Sequence, residues 1–161
     1  MPKGIFIPAD ELEPLELREF IGLSDYQKAV AGWIEPIDLD VLNATFFTNE
    51  EAKIIGLPIN RRATLMWWLC SPHMRHRDSI GGNVCLIGQP DEEGDTQDAP
   101  DEVFKLLLKT KSFRAMFQTA DDPEAFNGNQ WRFPNYFEAV NYALVKFDQW
   151  AAVERCKVIP A

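Results

Sequence analysis

The sequence predicts an α+β fold: a small, mostly antiparallel sheet with helices packed on one face, plus a C-terminal helical extension. Three observations predict it. Short apolar runs typical of strands recur within the first ninety residues. An apolar stretch, Arg61–Cys70, directly follows an asparagine of the type that caps helices. Apolar residues then recur at helical spacing over Tyr136–Ala151.

The chain begins with the pattern of a strand hairpin. Gly4–Pro8 and Leu15–Phe20 are predicted as paired strands, because apolar and charged residues alternate in the second. A helix of about two turns is predicted to follow Ser24. Trp33–Leu39 returns to strand character. Since Pro36 lacks a backbone donor, this strand is expected at a sheet edge or a bulge.

A second hairpin is predicted before the apolar helix. Its strands would be Thr45–Thr48 and Lys53–Ile55, joined by a turn beginning at Asn49, because asparagine tolerates the positive φ of tight loops. Asn60 is expected to cap the helix Arg61–Cys70, which is apolar nearly all round and must be buried or face a partner. The glycine turn before Val84 then leads into a buried strand that ends the sheet.

The composition changes abruptly after residue 90. Gln89–Glu102 has seven acidic residues and no basic one. We therefore predict a core at residues 1–90, an acidic loop at 91–102, and a helical extension at 103–161 that packs on the core. In the extension, a short helix is predicted through Phe113, Met116 and Phe117, and the longest helix of the chain runs from Tyr136 to Ala151.

The overall charge restricts the partners. The chain has 25 acidic and 16 basic residues and a formal net charge of -9, which disfavours direct binding to nucleic acid or an anionic membrane. A basic or nucleic-acid-binding protein is the favoured partner instead. Three cysteines leave one unpaired and match no zinc module. With no apolar run long enough for a signal peptide, we expect a cytoplasmic protein without a cofactor.

Several short motifs occur in a characteristic order. They are Gly32-Trp33-Ile34-Glu35-Pro36-Ile37, then Asn49-Glu50-Glu51-Ala52-Lys53 with Gly56-Leu57-Pro58-Ile59-Asn60, then Ile80-Gly81-Gly82-Asn83. Over roughly the first ninety residues, this order resembles an uncharacterised domain-of-unknown-function family of small phage, plasmid and actinobacterial proteins. Ala52 stands where the family has a glycine. The resemblance implies no established activity. The occurrence of the family beside antirestriction-like genes implies a counter-defence or host-takeover role. It also implies a host protein as the partner, such as a nucleic-acid-handling or defence protein, and the cytoplasm of the host cell as the location if the protein is phage-encoded.

Two surfaces are candidates for contact with a protein partner. Carboxylates of the acidic loop could imitate the phosphates of duplex DNA, which lie about one charge per 1.7 Å along the axis. Aromatic residues of the tail could anchor an interface, since tryptophan and tyrosine are frequent hot spots. Loop solvation and core packing are the structural alternatives. The candidate partner-binding residues are Asp91, Glu92, Glu93, Asp95, Asp98, Trp131 and Tyr136.

A basic stretch offers a different hypothesis. The segment 52–77 contains no acidic residue, and Arg61 and Arg62 follow Asn60, where the free amides of a helix start favour an anion. Together with Asn49 and Glu50 in the preceding turn, these residues are candidates for binding or sequestering a small, nucleotide-like signal. Pairing of the bases with the acidic surface is the structural alternative.

One run contains metal-ligating residue types. Cys70, His73, His76 and Asp78 carry atoms that zinc prefers, but no second cysteine pair completes a tetrahedral set. The neighbouring arginines would also repel a cation. We therefore predict no metal site.

Glu50 and Glu51, with Glu35 and Asp38 on the neighbouring strand, are the remaining candidates for chemistry, as the carboxylate pair of a metal-dependent enzyme. Neighbours on a strand point to opposite faces, so a polar turn is the simpler interpretation. No serine or cysteine nucleophile has a convincing base. The sequence thus predicts a non-enzymatic phage or mobile-element accessory protein that binds and inhibits a host protein.

Overall fold

The computed structural model describes the whole chain, Met1–Ala161, and divides it into two compact units, Met1–Phe104 and Lys105–Ala161. The first unit contains a five-stranded sheet and the second a three-stranded sheet, and every strand pairing is antiparallel. The α+β class predicted from the sequence is therefore confirmed. Each helix is too short or too polar to cross a membrane.

The strands of the first unit are β1 (Lys3–Ile7), β2 (Glu16–Glu19), β3 (Ile34–Leu39), β4 (Ala44–Asn49) and β5 (Val84–Gly88), in the order β2-β1-β5-β4-β3. The hairpin of β1 with β2 and the buried strand β5 are confirmed. Strand β3 lies at the sheet edge, where the missing backbone donor of Pro36 leaves no pairing unsatisfied.

Three helices belong to the first unit: α1 (Leu23–Val30), α2 (Arg61–Cys70) and α3 (Asp101–Phe104). Helix α1 covers part of the sheet with Tyr26, whose ring stacks on Phe20 at a centroid distance of 4.6 Å. Helix α2 begins as predicted, since the Oδ1 of Asn60 accepts a hydrogen bond from the backbone nitrogen of Ala63.

The predicted second hairpin is wrong. The chain after β4 forms consecutive turns over residues 50–56 instead of a return strand, with Ile55 N donating to Glu51 O and Leu57 N to Ala52 O. Strand β4 pairs with β3 and β5 instead. The physical reason is burial, because β4 is an interior strand that needs buried neighbours, whereas residues 53–55 are exposed.

The second unit consists of a π-helical turn (Lys105–Lys109), β6 (Phe113–Thr119), β7 (Asp122–Asn127), α4 (Tyr136–Gln149) and β8 (Val153–Pro160). The sheet order is β7-β6-β8. The long helix α4 is confirmed, and Asn135 caps it by accepting hydrogen bonds from the backbone nitrogens of Phe137 and Glu138.

The predicted short helix at the start of this unit is wrong, and the extension is not entirely helical. Phe113, Ala115 and Phe117 are buried while the residues between them are half-buried, which is the period of two of a strand. Spacings of three and four between Phe113, Met116 and Phe117 also fit a helix, so the apolar pattern alone misled the prediction.

The two units differ in charge. Met1–Phe104 has nineteen acidic and eight basic residues, a formal charge of -11, and includes the acidic segment 91–102. Lys105–Ala161 has six acidic and eight basic residues, a formal charge of +2. The acidity of the chain is therefore a property of its first unit.

Candidate functional site

A cavity of about 440 Å³ opens in the first unit between β3, β4, the turn after β4, α2 and the segment 74–81. We call it the acidic cavity. Its size falls within the range of small-ligand sites, about 300–1,000 Å³. Its polar lining consists of Glu35, Thr48, Asn49, Glu50, Lys53, Asp78 and Ser79. Its apolar lining includes Ile37, Ile54, Trp67, Met74 and Ile80.

Asn49 fixes the turn that forms one wall of the acidic cavity. Its Nδ2 donates to the backbone oxygens of Val30 (3.0 Å) and Ala31 (3.2 Å), and its Oδ1 accepts from Glu51 N at 2.8 Å. The side chain is buried, so these bonds are shielded from water. Asn49 therefore holds the turn in place, which positions Glu50 beside the cavity.

The rim of the acidic cavity carries three carboxylates, Glu35, Glu50 and Asp78, and one ammonium group, Lys53. Lys53 forms an ion pair with Asp78, whose Oδ1 also accepts from Ser79 N at 2.8 Å. The backbone oxygen of Asp78 accepts from the indole nitrogen of Trp68 at 2.8 Å, which ties the residue to α2. Glu35 and Glu50 are the rim carboxylates without an ion-pair partner.

The deeper lining of the acidic cavity is apolar. Trp67 is 7% exposed and Ile80 is 3% exposed, and both line the cavity together with the half-buried Met74. An apolar interior below an acidic rim suits a group with an apolar stem and a positive head. Lysine and arginine side chains have this form, and so do small organic amines.

The residues predicted to hold an anion at the start of α2 serve the fold instead. Asn60 is fully buried, and its Nδ2 donates to Ile7 O (2.9 Å) and Gly82 O (3.0 Å). Arg62 is 8% exposed and donates to the backbone oxygens of Pro8 and Asp10. Burial lowers the pKa of Arg62, although its guanidinium stays charged.

Arg61 alone among these residues reaches solvent, and it pairs with Glu11 at 3.1 Å. Of the five candidate ligand-binding residues, the structure therefore brings Asn49 and Glu50 to a cavity and leaves Asn60, Arg61 and Arg62 outside it.

The metal-ligating residue types after α2 do not converge. The one place where three such groups come within 4.8 Å of one another is Asp91, Glu93 and Asp95. Burial raises the pKa of the Cys70 thiol to about 12, which opposes the thiolate form that a metal needs. The ring of His76 packs against Trp68 at 5.1 Å.

The acidic segment is a compact exposed loop organised by Asp91. The Oδ1 of Asp91 accepts from Glu93 N and Asp95 N, each at 2.9 Å, and its Oδ2 accepts from the Gln97 amide. The Oδ1 of Asp98 accepts a hydrogen bond from the backbone nitrogen of Lys3, the first residue of β1, at 2.8 Å. The candidate partner-binding acids Asp91, Glu92, Glu93, Asp95 and Asp98 are all exposed.

The two aromatic candidates of the tail differ in exposure. Trp131 is 65% exposed, whereas Tyr136 is 5% exposed and packs edge-on against Phe113 and Phe137. Tyr136 is therefore part of the core of the second unit and is unavailable to a partner, which corrects the prediction for this residue. Its position in the first turn of α4, facing inward, explains the burial.

Sequence reasoning missed Trp67, Asp78 and Ser79 as cavity residues. Trp67 looked like ordinary core, and Asp78 was considered only as a metal ligand. The available signal was the polar segment after α2, which returns the chain to β5 and brings Asp78 opposite Lys53.

Comparisons with known proteins give one family. No curated protein and no solved structure matches the chain significantly. The sequence model of one family, described as a domain of unknown function (DUF3846), matches residues 3–115. This range contains every residue of the acidic cavity, and it extends the resemblance beyond the first ninety residues. The chain therefore belongs to the DUF3846 family of domains of unknown function.

Proposed function

We propose that this protein binds and inhibits a basic host protein without catalysing a reaction, by taking a lysine or arginine side chain of the partner into the acidic cavity. The observation that carries the proposal is the combination of an apolar interior, formed by Trp67 and Ile80, with the unpaired carboxylates Glu35 and Glu50 at the rim. A host protein that handles nucleic acid would present such side chains on its surface.

The charge of the first unit supports this class of partner. A formal charge of -11 on Met1–Phe104 attracts a basic surface over distances of about 10 Å at 0.1 M salt. Such steering raises association rates, while the cavity supplies the specific contact. The exposed acidic loop then acts as a steering surface and the acidic cavity as the anchor.

The composition of the cavity supports binding over catalysis. Neither histidine nor cysteine lines it, and Glu51 of the candidate Glu50 and Glu51 pair lies outside it. We therefore assign the rim carboxylates Glu35 and Glu50 to the binding of a positive group and not to metal-assisted chemistry. The setting in a phage or mobile element, and a role in counter-defence or host takeover, rest on the sequence resemblance.

The test compares two variants with the same change in charge. The double variant Glu35→Gln, Glu50→Gln neutralises the unpaired cavity carboxylates, and Glu92→Gln, Glu93→Gln neutralises two exposed acids of the loop. Affinity-tagged protein would capture a stoichiometric partner from host lysate, and the affinity of each variant for the purified partner would be measured by calorimetry.

We expect the cavity variant to lose about tenfold or more in affinity, since a charge-assisted hydrogen bond contributes about 1.5–3 kcal/mol. The loop variant should lose much less, and mainly through a slower association rate at low salt. Equal losses in the two variants would show that only net charge matters and would remove the cavity from the proposal.

A further inference from the structure

The second unit has a cavity of its own, of about 300 Å³, which we call the aromatic cavity. It lies between β6, the loop after β7 and the outer part of α4. Its lining consists of Phe117, Asn127, Gly128, Asn129, Tyr142, Lys146 and Trp150. Three aromatic rings, two amides and a single cation make this lining chemically different from that of the acidic cavity.

In the aromatic cavity, the rings of Tyr142 and Trp150 both lie beside the ring of Phe117. The centroid of Phe117 lies 6.5 Å from that of Tyr142 and 6.3 Å from that of Trp150, with tilted planes. The hydroxyl of Tyr142 accepts a hydrogen bond from Asn129 Nδ2 at 2.8 Å, which fixes its ring. Phe117 is buried and Trp150 is 48% exposed, so the cavity has an inner and an outer aromatic wall.

The loop that closes the cavity depends on a glycine. A Cβ on Gly128 would lie 2.6 Å from the backbone oxygen of Ala115 and 2.7 Å from the sulfur of Met116. The loop therefore lies against β6 only because residue 128 has no side chain. This contact holds Asn127 and Asn129 at the cavity edge.

Two polar side chains of the aromatic cavity make no ion pair and no hydrogen bond. Lys146 makes no ion pair, and its ammonium group lies 5.8 Å from the centroid of the Tyr142 ring. The side chain of Asn127 is exposed and makes no hydrogen bond, unlike that of Asn129. An amide that can both donate and accept, in the same cavity as a cation without an ion-pair partner, is suited to a ligand with a polar planar edge and a negative charge.

We propose that the aromatic cavity binds a nucleobase bearing a phosphate. The base would pack among Phe117, Tyr142 and Trp150, since aromatic side chains stack on bases of any sequence. Asn127 would bond the edge of the base, and Lys146 would bind the phosphate. The free ammonium of Lys146 disfavours a quaternary ammonium ligand, the other usual guest of aromatic cages.

The charge of the second unit agrees with an anionic ligand. Lys105–Ala161 has a formal charge of +2, so the overall charge of -9 does not describe the surroundings of this cavity. A volume of about 300 Å³ lies at the lower end of the range for small-molecule sites and suits a single nucleotide.

The test uses calorimetry on the full chain with the four ribonucleoside monophosphates, the matching nucleosides and a ten-residue single-stranded oligonucleotide. Trp150→Ala should weaken binding of the monophosphate by about 5- to 150-fold, as for other base-stacking residues. Trp150→Phe should retain most of the affinity. Trp33→Ala is the matched control, because Trp33 is 67% exposed and lies in the first unit.

Lys146→Met separates the phosphate contact from the stacking contact. It should weaken the monophosphate about tenfold or more and leave the nucleoside unchanged, because the nucleoside lacks the charge. Tighter binding of the oligonucleotide than of the monophosphate would identify single-stranded nucleic acid as the source of the base, and equal binding would identify a free nucleotide. Absence of binding by every probe at millimolar concentration, or affinities unchanged by Trp150→Ala, would overturn the proposal.

Discussion

Replacing Asn60 with alanine tests the assignment of this residue to the fold. Asn60 is fully buried and makes three hydrogen bonds through its side chain. Its Oδ1 caps α2 by accepting from Ala63 N at 3.0 Å. Its Nδ2 bridges two other segments by donating to Ile7 O and Gly82 O. Asn60→Ala removes all three bonds and leaves two buried carbonyl oxygens each short of a partner.

The expected cost follows from these bonds. Loss of a helix cap costs about 1 kcal/mol, and each buried oxygen that loses its donor costs roughly 1–2 kcal/mol. Asn60→Ala should therefore lower the free energy of unfolding of the first unit by roughly 3–5 kcal/mol. A domain with a stability of about 10 kcal/mol, in the middle of the usual range, would remain folded at room temperature.

Asn135 provides the matched control. It caps α4 by accepting from Phe137 N (2.8 Å) and Glu138 N (3.3 Å), but it is exposed and bridges no other segment. Asn135→Ala should cost only about 1 kcal/mol. Asn60→Asp keeps the capping oxygen and removes the two donated hydrogen bonds. It should still lower the free energy of unfolding by more than Asn135→Ala does, and this result would separate the bridging role of Asn60 from its capping role.

The measurement is urea unfolding of each variant, followed by far-ultraviolet circular dichroism and by hydrogen exchange of β1 and β5. Similar losses for Asn60→Ala and Asn135→Ala would refute the bridging role. A folded Asn60→Ala protein whose only defect is loss of partner binding would instead make Asn60 a ligand residue and contradict its structural assignment.

Two further predictions concern the core sheet. In Gly88→Ala, the added Cβ would overlap the backbone oxygen of Asp98 and lie 3.0 Å from that of Gln97. The free energy of unfolding should therefore fall by about 1–3 kcal/mol. An unchanged thermal midpoint would contradict the close contact. Burial raises the pKa of the Cys85 thiol to about 12. Because the unfolded thiol ionises first, Cys85 leaves stability unaffected below about pH 8.5 and lowers it as pH rises towards about 12. Cys85→Ala should reduce that alkaline slope in urea unfolding, and an identical slope would count against the burial effect.

Local signals predicted a large part of the fold. Pro36 indicated an edge strand, Asn60 indicated the start of α2, and the apolar stripe indicated α4. Each of these signals lies within one short stretch of the chain, so it can be read from the sequence. The pairing of β4 with β5 joins residues about forty positions apart in the chain, which no turn signal near Asn49 specifies.

The candidate site was harder to predict because its residues come from four separate segments. Asn49 and Glu50 were found because a polar turn stands out between apolar strands. Arg62 was predicted to bind a ligand. In the structure it is buried and donates to the carbonyl oxygens of Pro8 and Asp10, which lie more than fifty residues earlier and could not be inferred from the sequence. A sequence shows that a charged side chain is present, and only the fold shows which groups it contacts.

The composition indicated a change in charge along the chain, but it did not indicate to which unit the acidic segment belongs. The sequence indicated a change near residue 90, whereas the boundary between the compact units lies after Phe104. Moving the boundary assigns the acidic segment to the first unit and leaves the second slightly basic. Our nucleotide-binding proposal therefore rests on Lys146 and Trp150 of the second unit, and not on Arg61 and Arg62, which lie outside the acidic cavity.

Site-specific photo-crosslinking tests the central claim about the acidic cavity most directly. Ile54 lines the cavity and is 85% exposed, so p-benzoylphenylalanine in its place would report on whatever enters. The same probe in place of Val41, which is 74% exposed and lies outside the cavity, is the control. We predict a cross-link from position 54 alone, to a partner segment that mass spectrometry shows to contain lysine or arginine. Equal cross-linking from both positions, or a cross-linked segment without a basic residue, would contradict the account.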